Sequence, residues 1–324
     1  MKFIINILPN QLLDEPNLSS FVNNITSQYH SSELQIIIKQ TSQLQTGLFE
    51  YIDRHELPIT VIDSLTDVTL ADSGDTYWLN LHVDDALLPN AIMQWENTLT
   101  NHATDLLMLN YVNNDQRISD QLDPIFENLG EVKETTIRHI FEVDPRESLF
   151  DLPLSKKLDL LLGLQSYYLN DRNYRYRTFF NNVDLTGRNV LYRVNSERLH
   201  SDKNYLAKLL YDLIDNDDFV RLNMPTMVLS ANSTAEQVKQ GLLLIQNGAF
   251  IFDEKIKNYY LSALANRLAT IYESVHADDH SEPDRNHWLK LLNDAVSDLP
   301  AENQVQLKAR KAKRGVLNSV KQIF

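Results

Sequence analysis

Between Asp75 and Ile92 an apolar strand, Thr-Tyr-Trp-Leu-Asn-Leu, runs straight into His82-Val83-Asp84-Asp85 and then into a helix started at Pro89. Carboxylates supply the oxygen ligands that Mg²⁺ and Mn²⁺ prefer, whereas a neutral imidazole is a better partner for Zn²⁺ or softer ions. His82, Asp84 and Asp85 therefore stand in an arrangement built to hold something at a strand's end, with an imidazole beside the carboxylates. The competing reading is that Asp84 and Asp85 only cap and charge the N-terminus of the Pro89 helix, where anions are favoured.

Two other groups carry chemistry-bearing residues. His276 and His280 stand four apart and can share a helix face, but the Glu of H-E-x-x-H is missing and the stretch before Pro283 is polar, which reads as a solvated helix end. Tyr167, Tyr168, Tyr174, Tyr176, Phe179 and Phe180 alternate with Arg172, Arg175 and Arg177. Such a cluster can stack and hydrogen-bond a sugar or base, and equally can pack as a loop or interface on the core.

The elements that must position these residues alternate as an α/β layer does. Phe3–Leu8, Leu34–Ile38, Ile59–Ile62 and Thr76–Leu81 read as strands, and Asn17–Gln28 and Leu48–His55 as helices. Strands separated by crossover helices imply a parallel sheet, and ligands of such sheets bind beyond the carboxyl ends of the strands. The residues just after Ile38, Ile62 and Leu81 are thus the expected site.

Composition narrows the class. A 324-residue chain that is 43% hydrophobic can build its own core, and a net charge of −14 argues against general nucleic-acid binding. With no cysteine there is no disulfide, thiolate site or thiol nucleophile. The eight glycines form no dinucleotide fingerprint, Walker loop or nucleophile elbow. Phe3–Leu8 is too short for a signal peptide and no run reaches the length of a membrane span, so a cytoplasmic protein is expected.

Gln28-Tyr29-His30, Leu34 to Ile38, Gly74-Asp75-Thr76-Tyr77, Leu81-His82-Val83-Asp84-Asp85 and Pro89-Asn90-Ala91-Ile92 follow one another at spacings that resemble the family 2 glycosyltransferases. Arg188 to Leu199 is similar to a later strand-and-helix of that family. The likeness covers roughly Met1 to Ser230 and is greatest to the enzymes that glycosylate wall teichoic acid, poly(ribitol phosphate). It implies a GT-A fold, a nucleotide-sugar donor with Mn²⁺ or Mg²⁺ at His82, Asp84 and Asp85, and Asp202 as the base that deprotonates the acceptor hydroxyl. The other reading of Asp202 is an N-cap of the helix that follows.

The departures bear on activity. Where the family places paired Asp to hold uracil and ribose, this chain has Lys39 and Gln40. An ammonium cannot accept the uracil imide N–H as a carboxylate does. Only the thirteen residues Asp63 to Asp75 join the third strand to Tyr77, too few for the family's Gly-rich Ala-Arg-Asn segment. Lys39, Gln40 and Asp63 therefore mark a degenerate donor pocket, and His82 replaces the first metal-binding Asp.

From Asn232 the chain reads as helices only, opening with the capping box Ser233-Thr-Ala-Glu236. Its last segment carries Lys308, Arg310, Lys311, Lys313 and Arg314 before an apolar stripe ending at Phe324. A basic amphipathic end of this kind suits an anionic membrane surface, a partner's acidic groove or pairing between chains, and packing on a neighbouring helix is its simpler use. The expected architecture is a GT-A-like, mostly parallel sheet with flanking helices over 1–230, followed by an all-α module over 231–324. The expected role is a glycosyltransferase-like protein of bacterial cell-surface or adhesin glycosylation. It is read as non-catalytic, bound to an acceptor or a partner glycosyltransferase and with no cofactor, against the alternative of an active, inverting, metal-dependent transferase. Its expected place is the cytoplasm or the inner face of the membrane, with homo-oligomerisation open.

Overall fold

The computed structural model describes residues 1–9, 13–40, 46–64, 67–70, 75–113, 183–184, 186–194, 219–248, 254–276 and 281–308. These fall into two compact units, one drawn from 1–113, 188–194 and 219–231, the other from 183–187 and 232–308.

The first unit is a mixed sheet with helices. Its strands are β1 (Lys2–Ile7), β2 (Glu33–Lys39), β3 (Ile59–Ile62), β4 (Thr76–Leu81), β5 (Ala86–Leu87), β6 (Leu106–Asn113), β7 (Val190–Val194) and β8 (Val220–Leu229). They lie in the order β3-β2-β1-β4-β7-β6-β8-β5. β3, β2, β1 and β4 are mutually parallel, as the crossovers demand. β7 then runs antiparallel between β4 and β6, β8 is parallel to β6, and the two-residue β5 pairs antiparallel with β8.

β1 and β4 are almost continuously apolar because both of their faces are buried. Phe3, Ile5 and Ile7 of β1 and Leu79 and Leu81 of β4 join one core, while Ile4 and Trp78 on the opposite face are buried as well. That core is completed by α1 (Glu15–Thr26), α2 (Thr46–Arg54) and α3 (Ala91–Asn101). α1 begins where Asp14 accepts a hydrogen bond from the Asn17 amide at 2.9 Å, with Pro16 in the first turn. It buries Leu18, Phe21, Val22 and Ile25, one stripe at helical spacing. Trp95 of α3 is fully buried, 6.0 Å edge-on from Phe3, and its Nε1 donates to Thr226 Oγ1 at 3.1 Å. Losing that ring would cost about 3–5 kcal/mol.

The second unit is helical: α4 (Thr234–Gly248), α5 (Glu254–His276), α6 (Glu282–Ser297) and a helical segment at 301–308. The capping box forms as expected, with the Ser233 amide donating to Glu236 Oε2 at 2.8 Å and the Glu236 amide to Ser233 Oγ at 3.3 Å. Tyr260 of α5 donates through its hydroxyl to the Leu244 carbonyl at 2.7 Å. The architecture is therefore α/β with flanking helices, and helical toward the C-terminus. Among the described residues no helix is long and apolar enough to cross a membrane.

Candidate functional site

β4 delivers His82 to the carboxyl edge of the sheet. Thr76 lies opposite Val194 and Trp78 opposite Tyr192, so each step forward in β4 is a step back in β7. Continued past the strand ends, that antiparallel count brings residue 188 level with residue 82. A second count does the same from the other side. Ala86 opposite Val228 and Leu87 opposite Met227 draw Ser230, just past β8, to the turn at residues 84 and 85.

Four residues meet there. The Asp85 amide donates to the His82 carbonyl at 3.1 Å, and Asp85 Oδ2 accepts from the His82 amide at 2.8 Å, which closes the turn. Asp85 Oδ1 accepts from the Ser230 amide at 2.8 Å, from Ser230 Oγ at 2.9 Å and from Arg188 Nη1 at 3.3 Å. The same Nη1 lies 3.1 Å from His82 Nδ1, 3.2 Å from the Ser230 carbonyl and 3.1 Å from Ser230 Oγ. Asp85, His82, Arg188 and Ser230 are all buried, and Asp84 is half-buried. Burial pushes the Asp85 carboxyl above its ordinary range, against the pull of the Arg188 charge and of the donors His82 and Ser230. Every one of those partners of Asp85 is a donor, which is the environment of a carboxylate.

One ligand atom each of His82, Asp84 and Asp85 lies within 4.8 Å of the others, a spacing that a metal ion could bridge. Arg188 already engages one nitrogen of His82 and one carboxylate oxygen of Asp85. Arginine has only N–H groups to offer, so the contact with Arg188 assigns His82 Nδ1 as acceptor. In neutral imidazole the proton is then on Nε2, and neither nitrogen presents an unused lone pair to a cation. Both Asp85 oxygens accept from protein donors, and Asp84 contributes a single carboxylate.

The capping alternative concerns the start of the next helix. α3 begins at Ala91, its N-cap Asn90 sits in the left-handed region at φ 65°, and no side chain of Asn90 caps it. The Ala91 amide donates to the Leu88 carbonyl at 3.1 Å and to Gln28 Oε1 at 3.2 Å. Gln28, read in the sequence as part of a family motif, thus works here as a helix cap.

Lys39 and Gln40 stand at the end of β2, both exposed, with Lys39 opposite Ile62 and the Gln40 amide donating to the Ile62 carbonyl at 2.8 Å. Asp63 follows on the neighbouring β3 and is exposed. These three share the sheet edge with His82 but not its cluster, because β1 separates β2 from β4, two strand spacings or roughly 10 Å. Asp202, the aromatic and arginine cluster at 167–180, His280 and residues 309–324 lie outside the described residues; His276 closes α5. Arg188 and Ser230 were not among the site residues expected from sequence. The usable signal was a buried-type strand, Val190–Val194, preceded by a charged side chain that had to find a counter-ion.

No family model matches the chain and no curated protein matches it. Among solved structures it is similar to S. aureus TarS at 13% identity and TM-score 0.49, covering 96% of this chain and 53% of that one, so it spans about half of that TarS chain. It is also similar to the S. aureus TarS 1–349 structure at 12% identity and TM-score 0.49, covering 100% of this chain and 92% of that one. The complex of TarS 1–349 with UDP-GlcNAc gives the same identity and TM-score over 99% of this chain. Likeness at this level leaves the architecture to rest on the strand order itself.

Proposed function

We propose that this chain is a glycosyltransferase-like protein of bacterial cell-surface polymer or adhesin glycosylation. It keeps the frame of a sugar-nucleotide site without the donor contacts and acts by binding rather than by transfer. The frame is the domain at 1–230, with the helical module at 231–324 beside it in the chain. Support for the family comes from the motifs at Gln28–His30, Gly74–Tyr77, Leu81–Asp85 and Pro89–Ile92, which carry a GT-A-like reading of the α/β sheet.

The observation that carries the non-catalytic reading is Lys39. It ends β2 at the sheet edge, exposed, where the resemblance calls for the carboxylate that pairs with uracil. Replacing an acceptor by an ammonium removes the hydrogen bond and sets a hydrated donor against the imide N–H. A net charge of −14 weighs against a polyphosphate acceptor and toward a partner glycosyltransferase as the bound molecule.

Calorimetric titration with UDP and UDP-GlcNAc, the ligands of the TarS 1–349 complexes, tests this with and without Mn²⁺. No heat of binding is expected at millimolar nucleotide. Micromolar binding, together with sugar transfer lost in Asp202→Asn, would establish the active transferase instead.

A further inference from the structure

We propose that Arg188 is the resident cation of the His82–Asp85 cluster, so that this strand-end site takes no divalent metal and instead ties the ends of β4, β7 and β8 together. The inference rests on reading the cluster as the metal position of a glycosyltransferase-like frame. Its warrant is geometric. One guanidinium nitrogen, Nη1, reaches His82 Nδ1, Asp85 Oδ1 and both oxygens of Ser230 within 3.3 Å. Those groups come from three chain segments, 82–85, 188 and 230, which the strand registers bring to one point.

A divalent ion ligated by His82 Nδ1 would need the lone pair that Arg188 engages, and would sit against a buried guanidinium. Like charges a few ångströms apart in a low-dielectric site repel strongly. The arginine also does what a bound ion would do for Asp85, compensating a carboxylate that is almost entirely removed from water. Because it is covalently part of the chain, its presence does not depend on metal supply or chelators.

The test uses the full chain and Mn²⁺ alone, followed by the electron-spin-resonance signal of the free ion. Wild type and His82→Ala are expected to leave the same signal at millimolar Mn²⁺, and the urea midpoint of wild type is expected not to move. Uptake by wild type that His82→Ala abolishes would overturn the proposal. A double-mutant cycle covers the case in which Arg188→Met folds poorly. Arg188→Met with Asp85→Asn removes both charges, and the pair is expected to restore the folding constant at least about tenfold over the sum of the single losses. Simple additivity would mean that Arg188 is not there for Asp85, and would sink the idea. UDP-GlcNAc binding in EDTA would defeat the non-catalytic reading and leave this one standing. His82-dependent Mn²⁺ uptake without nucleotide would do the reverse.

Discussion

Asn24 of α1 closes two hydrogen bonds on Leu87 of β5: its Oδ1 accepts from the Leu87 amide at 2.7 Å and its Nδ2 donates to the Leu87 carbonyl at 3.1 Å. β5 is the last strand of the sheet, and its outward backbone groups would otherwise form an open edge. A side-chain amide can present an N–H and a C=O side by side as a peptide does, so Asn24 stands in for a further strand. The consequence reaches the candidate site, because β5 begins one residue after Asp85 and holds the far end of its turn.

Asn24→Leu should therefore destabilise the chain by about 2 kcal/mol or more, since two backbone groups of a buried residue lose their partners. Asn24→Asp, which keeps the acceptor and loses the donor, should fall between that variant and wild type. Urea midpoints order the three, and hydrogen exchange at the Leu87 amide should speed up in Asn24→Leu. Unchanged exchange there would show that β5 is held by β8 alone.

The parallel half of the sheet is legible in the sequence because its strands are short apolar runs, buried on both faces in β1 and β4. The expected strands Ile59–Ile62 and Thr76–Leu81 coincide with β3 and β4, and Phe3–Leu8 and Leu34–Ile38 differ from β1 and β2 by one residue at each end. The insertion of β7 between β4 and β6 is not legible. Its pairings join residues more than eighty apart, and no local period records such contacts. For the same reason the candidate site is only half visible: His82, Asp84 and Asp85 announce themselves as neighbours, while Arg188 and Ser230 lie 106 and more than 140 residues further on. The sequence therefore shows the three neighbouring ligand types without the arginine that faces them.

Glu96 gives the fold a defined acid sensitivity. Its Oε1 accepts from the Ser32 amide at 2.6 Å, the Ser31 amide at 2.9 Å and Ser31 Oγ at 3.3 Å, fastening α3 to the turn before β2. Burial pushes the carboxyl up, but the hydrogen bonds from Ser32 and Ser31 more than reverse this and hold it below its ordinary value of 4.5. A carboxyl depressed in the folded state stabilises above its unfolded pKa and loses that contribution as pH falls through the folded one. The stability advantage of wild type over Glu96→Gln should accordingly be flat at neutral pH and shrink only below about pH 4.5. Paired urea titrations from pH 7 to 3 measure it. A gap that stays constant throughout would mean that the Glu96 carboxyl titrates alike in the folded and unfolded chain, so that the serine donors do not favour its charged form.

Gly241 sets how closely α4 lies on its neighbours within the helical unit. A Cβ built there would stand 2.7 Å from Ile271 Cδ1 and 3.4 Å from Leu292 Cδ2. Two effects oppose each other in Gly241→Ala: a gain in helix propensity of about 1 kcal/mol and a steric clash with the far end of a flexible side chain. Their near cancellation leaves Gly241→Ala within about 1 kcal/mol of wild type, whereas Gly241→Val, with branches that no rotation of Ile271 can clear, should lose about 2 kcal/mol or more. Ile271→Val removes the offending Cδ1. On its own it should cost about 1 kcal/mol for the methylene, yet in the Gly241→Ala background it should cost less or even stabilise. Urea midpoints of the four proteins in this cycle give the coupling directly. If the two substitutions simply add, the contact between Gly241 and Ile271 does not limit the approach of α4 to α5.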